Sequence, residues 1–278
     1  MASNDPVLIR ASDDPGLITA MAQDFLLSQP VLNNLILSLL EARIARPEPG
    51  RYWLASRNGA IVGVVFQSPL TYPAQLTPME SDAAVAMADA IAGSGVSLPG
   101  VSGEGATAAR FAGQWTERRK SGAAPVAGLR IYELGQLNEI GSVEGNLRRA
   151  SSDDRDLMIR WVREFHSEVH EPSPDVERLV DDRLADGQLW IWEETWPKSM
   201  SVSIKPVAGI TRIGGVYTPP ENRKNGYAAA CVHGLSRLEQ NTGHRCILYT
   251  DLENPTSNSI YRRIGYRAVA EVLRYRFD

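Results

Sequence analysis

The sequence predicts an α/β protein assembled from two related units. Short β-branched apolar runs alternate with helical stretches along the whole chain. Both halves open with the same order of motifs. The 278 residues suffice for about two domains of roughly 150 residues each.

The duplication is read element by element. "VLIRASDDPGLITAMAQDFL" and "NLRRASSDDRDLMIRWVREF" each give an apolar run, an Arg-Ala-Ser turn, paired aspartates and a helix. In the second copy Leu157, Trp161 and Phe165 recur every four residues, which predicts an amphipathic helix. "RYWLASRNGAIVGVVFQSPL" and "GQLWIWEETWPKSMSVSI" each predict a hairpin. "LTPMESDAAVAMADAIAG" then parallels "VYTPPENRKNGYAAACVHGL", and "VSGEGATAARFAGQW" parallels "TDLENPTSNSIYRRIGY". The period is about 130–140 residues. The seam falls near "NEIGSVEGN", after the strand-like "LRIYELG", so the expected domains are residues 1–140 and 141–278. "KSGAAPVAG" reads as a surface loop of the first unit.

Composition narrows the function. Hydrophobic residues make up 43% and charged residues 22%, enough for an ordinary core. The formal net charge of −4 argues against nucleic-acid binding, which needs a clustered basic surface. The start, "MASNDPVLIR", has no basic and apolar leader, and no run approaches about 18 apolar residues, so neither a secretory signal nor a membrane span is expected. Cys231 and Cys246 make no metal set with the four histidines and read as buried free thiols of a cytoplasmic protein. No metal is expected.

Two junctions carry the chemistry. "VAGITRIGGVYT" reads as a central strand, and "GYAAACVHGLSRLEQ" as a helix with Ala228, Cys231, Val232, Leu235 and Leu238 on one face. Between them, Arg223, Lys224 and Gly226 sit where helix N–H groups lack partners and the dipole favours negative charge, a site suited to pyrophosphate. A solvated basic turn is the alternative. In "ILYTDLENPTSNSIYRRIGY" the run "CILYT" is a buried strand, Asn254 an N-cap before Pro255, and Gly265 a helix stop. Asn254, Ser257 and Tyr261 fall on one stripe, Tyr261 being either a core aromatic or a catalyst.

Together these stretches resemble the GNAT superfamily of N-acetyltransferases. "R-K-N-G-Y-A" fits its R/Q-x-x-G-x-G/A signature, and "N-P-T-S-N-S-I-Y-R-R-I-G-Y" is similar to its later N-x-x-[AS]-x-x-x-Y-x-x-x-G-[FY] motif. The resemblance covers residues 146–278, with the first half looking like a degenerate copy: "ESDAAVA" replaces "RKNGYAA", and Phe111 stands near where Tyr261 would be. It implies twisted, mostly antiparallel sheets flanked by helices, with a splayed parallel strand pair holding acetyl-CoA. Val216, Tyr217 and Thr218 would meet the pantetheine arm. Arg223, Lys224, Asn225, Gly226, Tyr227 and Ala228 would hold the pyrophosphate. Asn254 and Ser257 would contact the cofactor, and Tyr261 would sit by the thioester sulfur.

The resemblance further implies direct attack by an amine on the thioester, an amide near Val216 or Tyr217 polarising the carbonyl, and Tyr261 as general acid. The family often places a glutamate on the strand before the turn, and "AGITRIGGVYT" has none. Glu168 is the base candidate, with His166, His170, Glu253, Asp278 and water as others. Trp190, Trp192 and Trp196 either pack in the core or line an acceptor cleft. The acceptor is a small-molecule or peptide amine, with a pseudo-dimeric monomer or a homodimer as the assembly. A silent acyl-CoA-binding module, and transfer of a longer acyl or aminoacyl group, are the competing readings.

Overall fold

The computed structural model describes residues 5–170 and 175–278. It is a mixed α/β structure that divides into two compact units. The first comprises the chain up to Ile131 with Asp251–Glu253 and Val269–Asp278; the second comprises Tyr132–Thr250 and Asn254–Ala268.

In the first unit the order is β1 (Leu8–Ser12), α1 (Pro15–Ser28), α2 (Asn34–Ala45), β2 (Arg51–Arg57), β3 (Ala60–Gln67), β4 (Ala74–Leu76), α3 (Ser81–Gly93), β5 (Gly100–Glu104), α4 (Gly105–Arg119) and β6 (Ala123–Leu134), whose last residues fall in the second unit. Strands β1 to β4 pair antiparallel in sequence, while β4 and β5 run parallel. Asn58 and Gly59, both at positive φ (51° and 80°), turn β2 into β3, the backbone a tight hairpin demands. Asp14 starts α1 by accepting the amides of Gly16 at 2.8 Å and Leu17 at 3.3 Å. The core gathers Trp53, Val65, Met87, Ile91, Phe111 and Trp115.

The second unit repeats that order: β7 (Asn146–Arg149), α5 (Arg155–Glu168), α6 (Val176–Ala185), β8 (Leu189–Glu193), β9 (Pro197–Val207), β10 (Ile210–Tyr217), α7 (Tyr227–Asn241), β11 (Arg245–Asp251), α8 (Pro255–Ile264) and β12 (Tyr266–Phe277). Strands β7 to β10 pair antiparallel, and β10 and β11 run parallel. One face of this sheet packs on α5 and α6 through Met158, Trp161, Val180, Met200, Val202 and Tyr217. The other holds Ile213, Val232, Leu235, Leu248, Tyr261 and Tyr266. A capping box of Ser151 and Asp154 opens the first turn leading to α5. Arg148 ties it down, its guanidinium binding both Asp154 and Glu193 at 2.6–3.0 Å.

Two readings of the sequence are corrected. Residues 123–128, within the expected surface loop, belong to β6: small residues permit a strand there, and Gly128 lies so close to Leu252 that a Cβ would fall 2.5 Å from its Cδ1. Leu238 does not join the buried face of α7; it is 37% exposed, and Ala230, His233 and Ser236 are buried instead. β12 is not among the elements expected from the sequence; its end, Val272–Arg276, pairs antiparallel with β5 inside the first unit. Cys231 and Cys246 are free and buried.

Candidate active site

The parallel strands of the second unit part company midway. β10 and β11 pair from Ile210↔Arg245 to Ile213↔Leu248, and no paired residues follow although the strands continue to Tyr217 and Asp251. On the opposite edge, Gly214 faces Val202 and Tyr217 faces Met200, so three steps of β10 span two of β9. That is a β-bulge, a local kink that re-aims a strand. Gly215 supplies the positive φ (56°), and a Cβ there would fall 2.8 Å from Val202 Cγ2. At Gly214 a Cβ would meet nothing within 4 Å. Beyond the bulge, the Tyr217 carbonyl accepts from Ser199 Oγ, and Thr218 Oγ1 donates to the same Ser199 Oγ, both at 2.9 Å.

Past Thr218 the chain makes a short 3₁₀ turn at Pro220–Asn222 and enters α7 through two left-handed residues, Lys224 (φ 67°) and Gly226 (φ 84°). Gly226 is the N-cap, no side chain caps the helix, and the first turn holds no acid. Helices α1, α4, α6 and α8 are each capped by their own Asp, Glu or Asn. The α7 start, like that of α2, thus has neither a side-chain cap nor an acid in its first turn. Asn225 braces the turn by donating to the carbonyls of Asn222 and Arg223, both at 3.2 Å. Arg223 Nε donates to the Thr218 carbonyl at 2.9 Å, and its guanidinium pairs with Glu168 and lies 5.9 Å from the Tyr217 ring centre. Its charge is partly engaged, while Lys224 is exposed. Tyr227 donates its hydroxyl to Glu194 at 3.2 Å, and Ala228 is partly buried.

At the start of α8, Asn254 Oδ1 accepts the Ser257 amide at 3.0 Å, as the N-cap role requires. Ser257 also hydrogen-bonds Tyr261 one turn on. Tyr261 is 8% exposed and sits between the rings of Tyr132 and Tyr266, 6.4 and 6.2 Å away. Burial pushes its phenol up to about 12, an effect the Ser257 bond opposes. It is a proton-bearing group at neutral pH. Asn258, which the sequence reading passed over, is buried beside it, accepting from the Tyr132 hydroxyl at 2.9 Å and donating to the Asn254 carbonyl at 2.7 Å. Its spacing of four from Asn254 was the available signal.

The base candidates scatter. Glu168 is paired with Arg223, whereas Glu164, one turn earlier on α5, accepts the Tyr217 hydroxyl at 2.9 Å. Burial first and Glu164 second raise the Tyr217 phenol to about 12. His166 is partly buried and His170 is exposed at the end of α5. Glu253 and Asp278 belong to the first unit. Trp190 packs against the core beside α7, Trp192 donates to the Glu144 carbonyl at 2.9 Å, and Trp196 is 68% exposed. Among the described residues no group of three metal-ligating side chains occurs, and no helix is long and apolar enough to cross a membrane.

Residues 204–275 match the FR47-like protein family. No curated protein matches the sequence. Among solved structures, a GCN5-related N-acetyltransferase from Sphaerobacter thermophilus superposes with a TM-score of 0.66 at 16% identity, over 97% of this chain and 95% of that one. A GNAT-family acetyltransferase from Colwellia psychrerythraea gives 0.64 at 10% identity, over 98% and 100%. A GCN5-related N-acetyltransferase from Kribbella flavida gives 0.53 at 15% identity, over 87% and 93%. The parted parallel strands, the uncapped helix and these likenesses agree: the chain has the fold of the GNAT superfamily, with its FR47-like stretch in residues 204–275.

Proposed function

We propose that the protein is an acetyl-CoA-dependent N-acetyltransferase whose second unit carries the reaction. One observation supports this most: an uncapped, acid-free helix start with two left-handed residues directly follows a strand that bulges away from its parallel neighbour. The gap and the helix start suit the two halves of CoA. Open space at Gly214 leaves room for the pantetheine arm beside Val216, Tyr217 and Thr218. The amides from Lys224 to Ala228, with Lys224 itself, suit the pyrophosphate. Asn254 and Ser257, at the start of α8 beyond β11, would border the arm from the other side.

Acetyl-CoA supplies the activated acyl group. The neutral amine attacks the thioester carbonyl, a C–N bond forms, and the C–S bond breaks. An amide near Val216 stabilises the developing oxyanion. Tyr261 gives its proton to the leaving thiolate, and the proton released by the amine leaves through water and restores the phenol in the next cycle. Glu168 is held by Arg223, which leaves it in a poorer position from which to take the amine proton. Holding both reactants in one cleft supplies much of the acceleration.

The first unit is proposed to be a scaffold copy. Its counterpart of α7 is α3, which begins with Glu80, Ser81 and Asp82, and Arg57 binds both acids. An anion would find that helix start already filled with negative charge. Phe111 of α4 is fully buried and offers no hydroxyl.

A catalytically silent acyl-CoA-binding module is the second reading, favoured by the burial of Tyr261 among aromatic rings. Calorimetry with acetyl-CoA, followed by thiol-release assays over an amine panel, separates the two. Micromolar binding with turnover supports the enzyme, binding without turnover the silent module, and no binding removes both.

A further inference from the structure

Tyrosine rings from three elements of the second unit meet around the proposed acid. Tyr132 comes from the end of β6, Tyr261 from α8, and Tyr266 is the first residue of β12. The Tyr261 ring lies between the others, 6.4 Å from Tyr132 at 59° and 6.2 Å from Tyr266 at 66°. All three are buried. Tyr132 and Leu134 share one face of β6, and both pack in this core.

A buried phenol needs a partner for its hydroxyl, and here the partners fix the flanking rings. The Tyr266 hydroxyl shares a hydrogen bond of 2.7 Å with Ser236 Oγ of α7. The Tyr132 hydroxyl donates to Asn258 Oδ1 at 2.9 Å. Asn258 stands three residues before Tyr261, on the same face of α8. Tyr132 thus holds α8 at two points, ring against ring and hydroxyl against side-chain amide. From that amide the network runs on: Asn258 Nδ2 donates to the Asn254 carbonyl at 2.7 Å, and Asn254 Oδ1 accepts the Ser257 amide.

The corresponding cluster of the first unit is built differently. Phe111 of α4 stacks on Trp115 at 6.2 Å and 15°, and Trp115 stacks on Phe277 at 5.1 Å and 15°. All are buried, and none of these rings carries a hydroxyl. Packing is satisfied there by apolar rings, so packing does not account for the hydroxyl of Tyr132.

We propose that Tyr132 is a positioning residue for acyl transfer: its ring and its bond to Asn258 hold Tyr261 and the first turn of α8 in the arrangement from which the phenol gives up its proton. Tyr132 precedes residue 141, so the stretch that reads as the degenerate copy supplies the reaction with a working part. The role in transfer rests on Tyr261 as general acid; the restraint on its ring does not.

The test uses the full chain. Tyr132→Phe keeps the ring and drops the hydroxyl, and Asn258→Ala cuts the same bond from the other end should the first variant fail to fold. In thiol-release assays kcat should fall about three- to tenfold, the worth of one hydrogen bond, with the acetyl-CoA Kd unchanged within about threefold. In the Tyr261→Phe background the same change should cost less than about twofold, because the positioned proton is already gone. Equal losses in both backgrounds, or full-rate turnover by Tyr132→Phe, would reduce Tyr132 to core packing. The second readout needs no turnover. In NMR of protein carrying isotope-labelled tyrosine rings, the Tyr261 signal is the one lost in Tyr261→Phe, and Tyr132→Phe should split or broaden it. An undisturbed signal overturns the proposal whatever the kinetics. A disturbed signal without thiol release by wild type from any amine rejects acyl transfer and upholds the restraint on Tyr261. Full-rate turnover by Tyr261→Phe rejects the general acid, and the positioning role with it.

Discussion

Glu168 of α5 and Arg223 of the turn before α7 form an ion pair, and Arg223 carries that restraint to the end of β10 through its bond to the Thr218 carbonyl. A carboxylate so placed shapes the anion turn; it is poorly placed to take a proton from an amine. Both side chains are more than two-fifths exposed, so the pair itself is worth at most about 1 kcal/mol. Glu168→Gln should therefore change stability by less than about 1 kcal/mol and kcat by only a few-fold, with the larger effect on acetyl-CoA affinity. A kcat loss beyond a hundredfold, with the acidic limb of the pH profile gone, would make Glu168 the base after all.

Tyr261 is the residue on which enzyme and silent module divide. Its hydroxyl is bonded to Ser257 and its ring is packed between Tyr132 and Tyr266, so Tyr261→Phe keeps the ring packing and removes the hydroxyl, with its proton and its bond to Ser257. We expect kcat to fall by about ten- to a thousandfold while the acetyl-CoA Kd holds within a factor of about three. Full-rate turnover by the variant would reduce Tyr261 to a core aromatic.

Gly226 joins backbone geometry to the proposed anion site. At φ 84° any side chain is strained, and a Cβ would also stand 3.1 Å from Val143 Cγ2. Gly226→Ala should cost about 1–2 kcal/mol in urea unfolding, the usual penalty for a left-handed non-glycine residue. Because the strain falls on the amides that meet phosphate, acetyl-CoA affinity should drop at least about tenfold. An unchanged Kd in a folded variant would move the pyrophosphate elsewhere.

Much of this site was legible because it is written in local backbone rules. Asn254 before Pro255, Gly265 at φ 115° and Gly226 at φ 84° have the caps and turns that their residue types dictate. The hairpins follow from alternation and from turns such as Asn58–Gly59. What escaped depends on pairing between distant parts of the chain. The end of β12 is completed by β5, more than 150 residues earlier in the chain. Leu238 fits the helical stripe, yet it is exposed, and its neighbour Glu239 is the residue that meets the sheet, accepting from Ser203 of β9 and Thr211 of β10.

Stability should fall in two steps as pH drops, each owed to a different depressed pKa. His233 is buried on α7, and burial first, then Arg237, lowers its imidazole, while Glu139 and a backbone bond with Asn138 oppose the shift. The unfolded chain takes that proton near pH 6.5 and the folded chain resists it. The His233 contribution is thus complete above about pH 6.5 and is lost as pH falls through the lower folded value. Asp154 follows the same sign further down: its bond to Arg148 holds the carboxyl below the usual range, so its contribution is complete above about pH 4 and is lost below. Urea unfolding measured from pH 8 to 3 should therefore show one slope beginning near 6.5 and a second below 4. His233→Gln should flatten the first and leave the second. Asp154→Asn should cost about 1–3 kcal/mol at pH 7, since it leaves Arg148 with Glu193 alone, and should flatten the second. Stability that rises between pH 7 and 5 would mean that His233 is protonated in the fold and would reverse the assignment.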